Sequence, residues 1–160
     1  MRLLVTGSPG VDSPGADERP RVLRALVVED IPSDAELMMA RLEQEGLAFD
    51  WTRVQTEADY LEALSTVPHL ILADWHLPQF SGARALSLLR ESGLDVPFVI
   101  VSGGIGEEAA IDALQQGASD YALKDRPARL GTAVRRALEA KRLREERRSA
   151  ESRLRQAARV

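Results

Sequence analysis

The sequence predicts an α/β protein built on a doubly wound, five-stranded parallel sheet, followed by an extended C-terminal helix. Three observations lead there. Five segments of strand length occur, most of them short apolar runs, and each is followed by a stretch that reads as a helix. The central runs, LILA at 70–73 and VPFVIV at 96–101, lack polar alternation, as strands covered on both faces do. Pro and Gly fall between the runs at Pro32, Gly46, Pro78, Gly82, Gly93 and Gly117, where turns and helix ends are needed.

Residues 1–20 are rich in Gly, Pro and small polar residues and are expected to be a disordered leader. The first strand is expected at Arg21–Val28, with Val22, Leu23, Leu26, Val27 and Val28 apolar, ending on Glu29-Asp30. Pro32 and Ser33 open a helix to about Glu45, with Ala35, Leu37, Met38 and Leu42 as apolar positions and Gly46 as its stop. A second strand at Phe49–Val54 and a second helix at Thr56–Ser65 follow. The third strand, Leu70–Ala73, stops at Asp74. The third helix runs from Ala83 to Glu91, the fourth strand from Val96 to Val101, and the fourth helix from Glu107 to Gln116. Tyr121–Leu123 forms a short fifth strand, and a long helix begins near Leu130.

Composition narrows the chemistry. Apolar residues make up 44% of the 160, enough for one core, and aromatics only 4%. With no cysteine, disulfides, thiolate metal sites and cysteine nucleophiles are excluded, which fits a cytoplasmic protein. Only His69 and His76 are available to a histidine metal site. No apolar run reaches the ~18 residues of a membrane span, so membrane insertion is not expected. The net charge of −4 argues against a general nucleic-acid binder. Charge is uneven, with eleven Lys or Arg against four Glu after Pro127.

Right-handed crossovers place all strand-to-helix loops at one edge of a parallel sheet. Glu29, Asp30, Asp74, Ser102 and Lys124 each end a strand, so they should converge at that edge. Separately, each has an ordinary structural reading as a turn residue, helix cap or solvated charge. Together they make a site. Three crowded carboxylates repel one another, and an all-oxygen set suits Mg²⁺. Lys124 supplies a point charge for a phosphoryl oxygen and Ser102 a hydroxyl donor. A carboxylate in such surroundings can act as a nucleophile toward phosphorus. The residues therefore point to Mg²⁺-assisted phosphorylation of Asp74.

The pattern VVED, LILADWHLPQFSG, VIVSG and GASDYALKD resembles the receiver domain of two-component response regulators, over about Val22–Ala140. The resemblance implies a flavodoxin-like sheet of order 2-1-3-4-5 and a receiver at 21–140. It implies that Asp74 is the phosphoacceptor and that Glu29 and Asp30 are the acidic pair. Asp30 would be a direct Mg²⁺ ligand and Glu29 would act more through water, with the main-chain carbonyl of His76 as the third protein ligand. Ser102 and Lys124 would contact the phosphoryl group, and Tyr121 would be the switch aromatic. The implied donor is a histidine kinase or phosphotransfer protein, and the implied catalysis is confined to the receiver's own phosphorylation and dephosphorylation. Two positions depart from the commonest pattern. Ser102 lacks the methyl of threonine, which loosens χ1. Asp125 follows Lys124 where proline in a cis peptide is usual; a cis bond here would cost about 3 kcal/mol, so trans is expected.

Two other motifs are weaker. Gly104-Ile-Gly106-Glu-Glu-Ala109 fits a dinucleotide fingerprint, with Asp125 near the ribose-acid spacing. Glu107 and Glu108, however, put negative charge where a pyrophosphate needs positive field. A transition-metal hydrolase built on His76 fails because His69 lies at the opposite edge. Residues 141–160, reading KRLREERRSAESRLRQAARV, form a charged helical extension with Leu143, Ala150, Leu154 and Ala157 in a heptad-like stripe. The expectation is a linker or weak coiled coil. It could lead into a downstream sensor or kinase domain, or assist homodimerisation through the face of the fourth helix, fifth strand and last helix. No DNA-reading module follows the receiver in this sequence, and no nucleic-acid partner is expected.

Overall fold

A computed structural model describes residues 22–104 and 106–159. The elements alternate in chain order: β1 (Leu23–Val28), α1 (Pro32–Gln44), β2 (Phe49–Val54), α2 (Glu57–Leu64), β3 (Leu70–Asp74), α3 (Gly82–Ser92), β4 (Phe98–Ser102), α4 (Glu107–Gln115), β5 (Asp120–Leu123) and α5 (Pro127–Ala157). The strands are parallel and ordered β2-β1-β3-β4-β5, the expected doubly wound sheet. The expected leader, residues 1–20, lies outside the described residues.

Side-chain parity along the strands builds two cores. Ala25, Val27, Leu70, Leu72, Val99 and Val101 face one way and pack under α1 and α5, against Met38, Met39, Leu42, Leu130, Val134 and Ala137. Leu26, Val28, Ile71, Ala73, Phe98 and Ile100 face the other way, against Tyr60, Leu64, Leu86 and Leu89 of α2 and α3 and Ala113 of α4. Both faces are apolar because both are covered, which is why the runs in the sequence show no alternation.

Several boundaries differ from the sequence reading for local reasons. β3 extends to Asp74, so the carboxylate is part of the strand. β4 begins at Phe98 because Pro97 has no N–H to give to a ladder, although its carbonyl still accepts from Ile71. α5 begins at Pro127, three residues before Leu130, since proline suits the first helical position. α1 is capped at Ile31 without a side-chain bond, and α4 at Gly106, so neither Asp30 nor Ser102 is a helix cap. On α1, Leu37 is 53% exposed and Met39 takes its place in the core. No cis peptide occurs among the described residues, and Lys124–Asp125 is trans as expected.

α5 spans 31 residues, about 46 Å at helical rise. Its buried residues end at Ala137. Beyond that point the helix is supported by ion pairs one turn apart, Glu139–Arg142, Lys141–Glu145, Arg142–Glu146 and Arg147–Glu151. Among the described residues, this part of the helix is tied back to the domain through Asp95. Arg144 pairs with Asp95 at 3.0 Å, and Arg148 pairs with the same carboxylate.

Candidate phosphorylation site

The register of the sheet brings the strand ends level. Val28 lies beside Ala73, Asp74 beside Val101, and Ser102 beside Leu123. Parity then sorts the polar residues. Glu29 continues the row of Ala25 and Val27, Asp74 the row of Leu70 and Leu72, and Lys124 follows Ala122, so all three belong to the side covered by α1 and α5. They meet there. The Lys124 ammonium donates to Asp74 Oδ2 at 2.9 Å and to Glu29 Oε2 at 3.0 Å. Ser102 has the opposite parity, is fully buried, and accepts from the Gly104 N–H at 3.3 Å.

Glu29, Asp30 and Asp74 each place a carboxylate oxygen within 4.8 Å of the others, and the cluster can hold a metal ion. Glu29 and Asp74 are buried, with Asp30 partly exposed. The donors are all oxygen, which fits a hard divalent cation and disfavours a soft one. Burial pushes the Glu29 carboxyl up to about 7, against the opposing pull of the Lys124 ammonium and the Ile31 N–H. Burial alone would lower the Lys124 ammonium, but its bonds to Asp74, Asp34 and Glu29 outweigh that and hold it above the ordinary lysine range.

The loop after Asp74 is tied down. The His76 N–H donates to Asp74 Oδ1 at 3.0 Å, so the Asp74 carboxylate is held at both oxygens. The His76 side chain itself is exposed. Leu77 and Phe80 are buried as anchors, and Phe80 packs on Tyr60 with ring centroids 5.2 Å apart. Gly82 opens α3 directly beneath Asp74. A Cβ there would stand 2.9 Å from the Asp74 carbonyl oxygen and from the Trp75 Cα, and backbone atoms cannot step aside. The Arg53 guanidinium fixes the other wall by donating to the Glu29 carbonyl at 3.1 Å. Tyr121, on β5, is half-buried, and the Arg129 guanidinium lies 5.6 Å from its ring centroid.

One member of the site was missed in the sequence. Asp34 Oδ2, in the first turn of α1, accepts from Lys124 at 3.0 Å. An acid in a first turn is ordinarily read as a response to the helix dipole. The signal was its place four residues before Met38 and eight before Leu42, on the buried stripe of α1.

Residues 25–135 match the family model described as the response regulator receiver domain. This chain belongs to that family. The receiver is 36% identical over 107 residues to the phosphate regulon transcriptional regulatory protein PhoB of Klebsiella pneumoniae, covering 63% of this chain and 44% of PhoB. It is 32% identical over 99 residues to the luminescence regulatory protein LuxO of Vibrio campbellii, covering 61% of this chain and 21% of LuxO. The chain thus spans less than half the length of these curated relatives. Among solved structures, the signal receiver domain of a LuxO repressor protein from Vibrio parahaemolyticus superposes with a TM-score of 0.70 at 28% identity, over 78% of this chain and 96% of that one. NtrX from Brucella abortus, in complex with ADP, gives 0.72 at 26% identity, over 84% of this chain and 30% of NtrX.

Proposed function

We propose that this receiver is a signalling switch that accepts a phosphoryl group on Asp74 with the help of Mg²⁺. The observation that carries the reading is a single ammonium, Lys124, bonded to both Asp74 and the buried Glu29 beside a three-carboxylate cluster. An ammonium so placed holds the acceptor in position and lies within reach of a phosphoryl oxygen bound to it.

Glu29, Asp30, Asp74 and the main-chain carbonyl of His76 are the groups assigned to hold Mg²⁺, with Asp30 a direct ligand and Glu29 acting more through water. The ion, when bound, neutralises charge on the phosphoryl oxygens. The chain does the rest by positioning. An Asp74 carboxylate oxygen forms the new bond to phosphorus as the bond to the donor's nitrogen breaks; the leaving imidazole then takes a proton from solvent. Lys124 binds a phosphoryl oxygen, and the Ser102 hydroxyl, which accepts from the Gly104 N–H in this structure, turns toward the phosphoryl group to bind another. The donor class is a histidine kinase or phosphotransfer protein, and the chemistry extends only to the receiver's own aspartyl phosphate and its hydrolysis.

The output is a changed surface on α4, β5 and α5, with Tyr121 as the switch aromatic. That face and the α5 extension would serve a homodimer or a downstream sensor or kinase domain. We divide the chain into a leader at 1–20, the receiver at 21–140 and the helical extension at 141–160. PhoB is a transcriptional regulator by name; the acidic balance of this chain favours protein over nucleic acid as the receiver's own partner. Among the described residues no helix is long and apolar enough to cross a membrane, and we place the switch in the cytoplasm with its donor class. Incubation with Mg²⁺ and acetyl phosphate tests the reading by intact mass. Wild type should gain one phosphoryl group and Asp74→Asn none; equal gain by both would refute it.

A further inference from the structure

We infer that Asp34 is a positioning residue that competes with the phosphoryl group for Lys124 and so sets how tightly the phosphorylated state is held. The inference rests on the proposed role of Asp74. An ammonium has three N–H donors. In this structure all three find carboxylates: Glu29 and Asp34 at 3.0 Å, and Asp74 at 2.9 Å. A phosphoryl oxygen arriving on Asp74 therefore finds no free donor on Lys124, and one existing bond must be given up.

The three partners are not equal. The Glu29 side chain is fully buried and that of Asp74 is 10% exposed, whereas that of Asp34 is 38% exposed. Water screens and can replace the Asp34 bond, so it is the one to yield. Asp34 also stands outside the three-carboxylate cluster that can hold a metal. Among the described residues its ion-pair partner is Lys124. It is delivered there by α1, whose Met38, Met39 and Leu42 are buried in the core and fix the helix against the sheet. Behind it, a cavity of about 110 Å³ lined by Leu37, Arg41, Pro127 and Leu130 gives the carboxylate room to swing away. Asp34 is thus a movable third hold on the ammonium, opposing transfer of that N–H to the phosphoryl group.

Removing the charge should strengthen phosphoryl binding without a matching change in metal binding. The test is beryllofluoride titration of the full chain at saturating Mg²⁺, read by emission of Trp75 beside the acceptor, with a separate Mg²⁺ titration. Asp34→Asn should bind the mimic about fivefold more tightly, the scale of one partly exposed ion pair no longer competing, and Asp34→Ser should do the same. Mg²⁺ affinity should move by less than about twofold, since a partly exposed charge is screened, and equal unfolding midpoints would show that both variants fold. Unchanged or weaker mimic binding in these variants overturns the inference. So does an equal shift in both affinities, which would mark a general field effect. A wild-type chain that gives the same response as Asp74→Asn would overturn the proposed function and this inference together.

Discussion

Two regions of the receiver carry the same kinds of charge with very different consequences. At the carboxyl edge of the sheet, Lys124 bonds three carboxylates, one of them fully buried. On the distal half of α5, Arg142 is paired with Glu139 and Glu146, yet all three side chains are more than half exposed. Water surrounds the second set whether it is paired or not, so pairing changes little there. The first set has lost most of its water, and each of its charges depends on the others. The edge is a costly arrangement, as a site proposed to serve chemistry would be, while the tail is a solvated rod tied back, among the described residues, through Asp95.

The comparison breaks most readily at the two cations. Lys124→Ala should lower the unfolding free energy by about 3 kcal/mol, as one partner of a buried ionic cluster is removed. Arg142→Ala should leave the denaturation midpoint unmoved. Equal shifts in a urea titration would end the distinction. Gly82→Ala is the next largest effect. The added Cβ meets Asp74 and Trp75 backbone at 2.9 Å, so a loss of about 2 kcal/mol is expected, together with slower phosphoryl uptake from acetyl phosphate. The same substitution at Gly46, where nothing lies within 4 Å but φ is +82°, should cost stability with uptake unchanged.

Asp30→Asn sharpens the claim that the edge is kept for chemistry. It relieves repulsion within the carboxylate cluster, so in chelator the variant should be more stable than wild type by about 1 kcal/mol. Its Mg²⁺ titration should show weakened binding. A variant less stable than wild type would mean that the acidic pair supports the fold.

The smallest effect belongs to the tether. Burial alone would raise the Asp95 carboxyl, but Arg144 and Arg148 outweigh it and hold it below the usual carboxylate range. A lowered folded value adds stability that is present above the unfolded Asp value of about 3.9 and is lost as pH falls through the folded one. At neutral pH, Asp95→Asn should therefore cost about 0.5 kcal/mol. The difference from wild type should vanish in acid, as thermal melts across pH would show. An undiminished difference in strong acid would remove the ion pair as its cause.

These contrasts also mark what the sequence could and could not tell. The central strands β1, β3 and β4 were legible because their buried stretches read as apolar runs, whereas the edge strands β2 and β5, with only Phe49, Val54 and Ala122 buried, were legible from their place between helical stretches. Glu29, Asp74 and Lys124 were legible as strand-end residues at one edge of the sheet; the side they share, that of α1 and α5, emerged only with the built sheet. Ser102 ended its run too, yet one residue of register turned it to the other face. Asp34 was hidden because a helix start accepts an acid for reasons unrelated to any site; only its alignment with Met38 and Leu42 set it apart. The pairing of Asp95 with Arg144 was out of reach, since it joins a loop to a helix about fifty residues later and follows no local period.

The central claim is that the carboxylate of Asp74, and no other group at this edge, becomes the acyl phosphate. Reductive trapping tests it directly. Phosphorylated protein is treated with borohydride, which converts an aspartyl phosphate to homoserine, and the reduced residue is located by peptide sequencing. The account predicts homoserine at position 74 and nowhere else. Homoserine at position 30 or 34, or a phosphorylated chain that yields none, would contradict it.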